Sequence, residues 1–175
     1  MHRRMIFPLI AGAAMVLAGA SIPAVAQTSA GSGAQGMGLS FSGLRNVRGL
    51  PVEIRADELQ VNNQTGETLF SGDAVLGQGD MRLAAPVIRV FYAAGGDGRI
   101  ERLEASGGVT LVTASEAAEA RDAVYEVEAG TVRMSGDVLL TQGENVLSGD
   151  RLFVNVLTEQ GRMEGRVRTI IQTSR

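Results

Sequence analysis

The chain contains no cysteine, no tryptophan and no lysine, and its single histidine is His2. Without cysteine there is no disulfide, no thiolate nucleophile and no Cys/His zinc site. Every one of the 16 basic residues is an arginine, and 19 acidic residues bring the 175-residue chain to net −3. With a pI of about 5.2, the chain has no basic footprint for nucleic acid. No P-loop is present, so nucleotide hydrolysis has no obvious seat. Aromatics are scarce, at 4%, which removes the large rings that usually dominate a closed core of this size.

The long apolar runs are confined to the beginning. Arg3 and Arg4 precede the uncharged stretch Ile6–Ala20, and Ala24-Val25-Ala26 is a small-x-small cleavage site. That order is a secretory signal peptide over residues 1–26. The alternative, a retained membrane anchor, needs ~20 apolar residues to span, and this run is shorter. Cleavage leaves 149 residues (175 less 26), with 14 Arg (16 less Arg3 and Arg4) against 19 acids, net −5. The remaining chain has no His, Cys, Lys or Trp. Histidine general bases, Ser-His-Asp triads and lysine Schiff bases disappear with the signal.

Gln27–Gly38 is rich in Gly, Ser, Ala and Thr and reads as a flexible leader; a leader over 27–47 and one domain over 48–175 follow. From about Leu50 the pattern has period two. Val52 and Ile54 alternate with Glu53 and Arg55, and Leu152, Val154 and Val156 with Phe153 and Asn155. Such alternation between Gly-, Asn- and Asp-rich breaks predicts strands with one apolar face. Only Ser115–Arg121 has helical propensity, and it reads as a connection with one helical turn.

An internal repeat underlies the alternation. Ser71-Gly72-Asp73-Ala74-Val75, Ser106-Gly107-Gly108-Val109-Thr110, Ser135-Gly136-Asp137-Val138-Leu139 and Glu164-Gly165-Arg166-Val167-Arg168 place their glycines 35, 29 and 29 residues apart. A second element precedes each one: Asp57-Glu58-Leu59, Pro86-Val87-Ile88, Asp122-Ala123-Val124 and Asp150-Arg151-Leu152. These are read as turn-then-strand units, each unable to bury its own apolar face, that stack into a continuous core. About a dozen short strands predict an all-β sandwich, jelly roll or solenoid.

Leu50–Leu59, Phe70–Val75, Gly77–Ala85, Tyr125-Glu126-Val127 and Ser148–Leu152, in that order and spacing, resemble the OstA-like family over roughly Leu50–Ile171. The resemblance implies an all-β fold, an open and slightly twisted β-jelly roll whose antiparallel sheets form a V. It further implies a periplasmic, non-enzymatic carrier of lipopolysaccharide, holding acyl chains in a groove and joining head to tail with copies of itself. The implied partners are an inner-membrane LptC-like protein and an outer-membrane LptD-like protein. Neither cofactor nor metal nor nucleic acid is expected. Parity, together with the family's inward-facing positions, assigns the groove to Val52, Ile54, Leu59, Val61, Leu111, Tyr125, Val127, Leu152, Val154 and Val156. Ordinary core packing is the alternative for each residue, and an OstA-like connector or a β-solenoid without lipid is the alternative for the whole.

Two charged sets remain. Arg82, Arg89, Arg99, Arg102, Arg121 and Arg151 are candidates for lipid phosphates, because guanidinium matches phosphate geometry; the favoured reading is solvated strand faces beside Asp and Glu. Glu101, Glu104, Glu116, Glu119 and Asp122 would form a glycosidase pair only if two of them met in one cleft. Gly95-Gly96-Asp97-Gly98 occurs once and reads as a loop insertion rather than a calcium-binding repeat.

Overall fold

The structure is a computed structural model, and it describes residues 39–44, 47, 49–95 and 98–171. The expected signal peptide and the Gln27–Gly38 stretch lie outside the described residues, as do Gly96 and Asp97 of the glycine-rich loop. Eleven strands build one antiparallel sheet: β1 (Leu39–Ser40), β2 (Glu53–Arg55), β3 (Glu58–Asn62), β4 (Glu67–Gln78), β5 (Met81–Tyr92), β6 (Ile100–Val112), β7 (Glu116–Glu126), β8 (Thr131–Gln142), β9 (Asn145–Asn155), β10 (Gln160–Glu164) and β11 (Arg168–Ile170). The order is β1-β10-β9-β8-β7-β6-β5-β4-β2, with β3 pairing β4 and β11 pairing β9. β4 to β9 are a meander of long strands. Two of its hairpins, Gly79-Asp80 and Gly143-Glu144, are two-residue turns led by a glycine at positive φ (56° and 59°), the geometry that matches strand twist.

Three of the four repeated glycines, Gly72, Gly107 and Gly136, lie inside strands and bend them, while Gly165 falls between β10 and β11. Pairing shifts register between Ser71 and Ala74, Ser106 and Val109, and Ser135 and Val138, so β4, β6 and β8 each carry a β-bulge near the middle. At Gly72-Asp73 and Gly136-Asp137 two successive residues take positive φ (78° and 44°; 87° and 53°). Glycine adopts that region freely and aspartate tolerates it. The elements that precede the glycines in sequence are their neighbours in space. A Cβ on Gly72, Gly107, Gly136 or Gly165 would press on Asp57, Pro86, Arg121 or Asp150 respectively, and the Asp57 and Asp150 amides donate to the Gly72 and Gly165 carbonyls at 3.0 Å. The regular sequence spacing is therefore the distance from one bulge to the contact it makes on the neighbouring strand. For the first three repeats the turn-then-strand reading is corrected to strand–bulge–strand, and of the eleven strands six are long, with 11 to 13 residues each.

The aligned bulges fold the sheet on itself, so that its two halves face each other across one apolar interior. In one half, Leu76, Leu83, Leu111, Ala118, Leu140 and Leu147 lie opposite one another in a single row across six strands. In the other, Val90, Leu103, Tyr125, Val132 and Val154 form the corresponding row. All belong to one buried cluster. This is the open β-jelly roll expected from the sequence. Ser115–Arg121 is a second correction, since Glu116–Glu126 is strand β7. Glu116, Ala118 and Ala120 point inward with a period of two, and pairing with strands on both sides overrides the local helical preference.

Leu39, Phe41, Leu44 and Val47 fall within the range read as leader, yet all four are buried (1–5% exposed). They run between the strand ends of the two halves, along the mouth of the fold.

Candidate functional site

Seen from the residues upward, the interior has a closed stretch and an open one. The mouth is closed by Leu39–Leu44 and Val47. β1 pairs Leu39 with Gly161 and Ser40 with Gln160. The Phe41 amide donates to the Glu159 carbonyl at 2.8 Å, and Gln142 Nε2 donates to the Ser40 carbonyl. Beneath this segment lies a polar knot around Glu116, itself 4% exposed. Thr113 Oγ1 donates to Glu116 Oε2, Ser115 Oγ donates to Oε1 at 2.8 Å, and Gln142 Nε2 reaches Oε1 at 3.4 Å. A buried carboxylate is tolerable only with such partners.

Farther along the mouth, beyond Leu50, a polar bridge ties the two halves. Tyr125 donates its hydroxyl to Gln78 Oε1 at 2.9 Å, while Gln78 Nε2 donates to the Leu50 carbonyl at 3.0 Å. Burial pushes the Tyr125 phenol above its ordinary 10.0, and its hydrogen bond to Gln78 offsets part of that. Beside this bridge opens a cleft of ≈ 440 Å³, lined by Val52, Ile100 and Val127 with Arg99, Glu101 and Glu128 at its rim.

The ten expected lining residues therefore separate into three groups. Leu111, Tyr125, Leu152, Val154 and Val156 are buried in the closed interior. Val52, Ile54 and Val127 are partly buried against it, Val52 and Val127 at the cleft. Leu59 and Val61 stand on edge strand β3, 56% and 62% exposed. The sequence reading missed Ile100 at the cleft and Phe41, Leu44 and Val47 in the mouth; the only signal for the last three was an apolar spacing among Ser, Gly, Arg and Asn.

Four of the six candidate arginines lie beside acids on the outer surface. Arg89 and Arg102 both approach Glu104 (3.7 and 3.2 Å), and Arg102 also covers the Phe91 ring at 4.2 Å. Arg121 pairs with Asp137 at 2.8 Å and Arg151 with Glu164 at 3.4 Å. Arg82 donates to the Met81 carbonyl. Of the carboxylates, Glu104 and Asp122 line one shallow cleft on the outer face, where Glu104 is paired with Arg89 and Arg102, while Glu116 lies apart from them on the inner face. Among the described residues no group of three or more His, Cys, Asp or Glu is placed to hold a metal, and no helix is long and apolar enough to cross a membrane.

Both edges of the sheet end in short strands, each paired on one side. β2 and β3 share β4 at one edge; β1 and β11 close the other. Both edges carry exposed apolar side chains, Leu59 and Val61 on β3, and Val167, Ile170 and Ile171 around β11 (50–54% exposed).

A sheet bent along a line of bulges, apolar inside, open at its mouth and short-stranded at both edges defines an open β-jelly roll. The family model described as LptA/(LptD N-terminal domain) LPS transport protein matches residues 53–160, and the chain belongs to that family. A protein of Rhizobium meliloti (strain 1021), described as uncharacterized, is 28% identical over 165 residues, covering 89% of this chain and 87% of its own. The crystal structure of LptH from Pseudomonas aeruginosa, described as the LptA-homologous periplasmic component of the conserved lipopolysaccharide transport device, superposes with a TM-score of 0.65. It is 16% identical and covers 73% of this chain and 99% of that one, a likeness of fold.

Proposed function

We propose that the protein is a periplasmic carrier of lipopolysaccharide, which binds the acyl chains at the mouth of the folded sheet and leaves the sugars outside. The observation that carries this reading is the apolar cleft at Val52, Ile100 and Val127, opening from the interior of a chain that belongs to a lipopolysaccharide-transport family. With net charge −3 over the chain, attraction to an anionic glycolipid is weak, and acyl burial must drive binding at ~0.8 kcal/mol per CH₂. Of the ten assigned lining residues, Val52, Ile54 and Val127 combine partial exposure with packing against the interior and would meet cargo first; Leu59 and Val61 stand outside it on edge strand β3, and the deeper five shape the wall.

The edges support a bridge. Unsatisfied edge strands normally invite pairing, and strand addition turns that into assembly. In this reading β2 and β3 of one copy join β1 and β11 of the next, head to tail, with an LptC-like protein at the inner membrane and an LptD-like protein at the outer membrane pairing with the terminal copies. The signal peptide over 1–26 delivers the chain to the periplasm, and no catalysis is required of it.

The test is extraction of the purified protein with organic solvent, followed by mass spectrometry for 3-hydroxy fatty acids. Stoichiometric recovery supports carriage. A clean extract from folded protein, expressed in cells that make lipopolysaccharide, favours a connector with a dry core.

A further inference from the structure

The mouth of the fold is filled by the chain's own side chains over part of its length and empty over the rest. Phe41 sits against Gly161, where a Cβ would stand 2.2 Å from the Phe41 ring. Gly43 sits against Thr113, where a Cβ would stand 2.4 Å from Oγ1. Both glycines leave room for a close fit, so the segment has a shaped seat. Its strand pairing is nevertheless short, because β1 pairs only two residues with β10, and side-chain burial supplies most of its hold. The six long strands beneath complete their pairing without it. Where the segment leaves the mouth at Leu50, the apolar trench continues as the open cleft of Val52, Ile100 and Val127.

We propose that Leu39–Leu44 with Val47 is a placeholder for an acyl chain: cargo enters at the Val52–Val127 cleft and extends along the mouth by displacing Phe41, Leu44 and Val47. The proposal rests on the lipid-carrier reading above. Among the described residues the buried inner-face cluster is at most 9% exposed, and besides the cleft residues only Ile54, Ala56, Phe70 and Met163 are partly open against it. An occupied seat lowers the apparent affinity by the fraction of molecules in which it is open. Carriage then includes a release step, because the segment competes for its seat and returns when cargo leaves.

The chain's lack of cysteine allows a single reversible lock. Ser40 and Gln160 lie directly opposite each other in β1 and β10, both exposed, and antiparallel partners are within reach of a disulfide. In the full chain carrying Ser40→Cys and Gln160→Cys, binding of hexa-acylated lipid A is titrated oxidised and then reduced. The oxidised form is expected to bind at least about tenfold more weakly, with full recovery on reduction, and Phe41→Ala in the cysteine-free chain to bind at least about tenfold more tightly. Equal binding by the oxidised and reduced forms overturns the placeholder and leaves lipid carriage standing. Absence of binding in both forms, with a native β-sheet circular dichroism spectrum, removes the carrier reading and the placeholder with it.

Discussion

Two stretches of the same mouth differ in what fills them. Between β10 and the β6–β7 turn, Leu39, Phe41, Leu44 and Val47 are packed against the inner face almost without exposure. Between Leu50 and the β5–β6 and β7–β8 connections, the wall of Val52, Ile100 and Val127 meets nothing comparable. Both stretches are walled in part by aliphatic side chains, with the Glu116 knot beneath the filled one and Arg99, Glu101 and Glu128 around the open one. What separates them is the path of the N-terminal segment, which lies along one and leaves before the other. Apolar surface facing a gap is thus no evidence of a binding site until its occupant is identified. Here the occupant of one stretch is the chain, and the other stretch is the candidate for cargo.

The comparison is broken most readily by truncation. Phe41→Ala in the filled stretch is expected to lower the unfolding free energy by about 3–5 kcal/mol, the cost of removing a buried ring. Val52→Ala in the open stretch should cost under ~1 kcal/mol. Urea midpoints at constant slope measure both, and equal losses would show that the two stretches are packed alike.

Next in size is the bulge line that folds the sheet. Gly136→Ala forces a side chain into positive φ and against Arg121 and is expected to cost about 2–4 kcal/mol. Gly66→Ala has a similar φ but open space around it and should cost about 1 kcal/mol. A difference of that sign in thermal midpoint supports the bend as a packed structure rather than a turn.

The bridge between the halves gives a smaller effect. Tyr125→Phe leaves Gln78 Oε1 without its donor and should cost about 1 kcal/mol at neutral pH. Because the folded-state phenol is pushed above 10.0, its contribution is fully present below pH 10 and is lost as pH rises through the folded value. Wild type should therefore lose stability between pH 10 and 12 more steeply than Tyr125→Phe, by denaturant titration at each pH.

Smallest of all is Arg166→Gln on the outer surface. The hydrogen bond from Arg166 holds the Asp150 carboxyl below its ordinary 3.8. That contribution is present above pH 3.8 and fades as pH falls through the lowered value. The wild-type advantage over Arg166→Gln should shrink toward zero in acid, and at pH 7 it should stay at the size of an exposed pair.

The fold class was legible in the sequence because period-two alternation is a direct image of strand geometry, as in Leu152, Val154 and Val156. The repeat was legible as spacing but not as structure. Gly-Asp at positive φ serves a hairpin turn and a mid-strand bulge equally, and only pairing beyond the glycine tells them apart. Ser115–Arg121 misled because alanine carries no β signal, although Ala118 and Ala120 are the small side chains the interior accepts there. At the site, parity gave the face of each residue but not its depth. Leu152 and Val52 therefore looked equivalent, though one is core and the other lines a cleft. Leu59 and Val61 followed the same parity onto an edge strand with no layer opposite them.

The most direct test of carriage is photocrosslinking in cells, with the probe placed in turn at Val52, Val127 and Glu126. Val52 and Val127 line the cleft, while Glu126 pairs with Arg133 on the outer surface. The account predicts crosslinks to lipopolysaccharide from the first two positions and none from the third. Crosslinks from Glu126 as strong as those from Val127, or none from any position in the folded and exported protein, would contradict binding at the mouth.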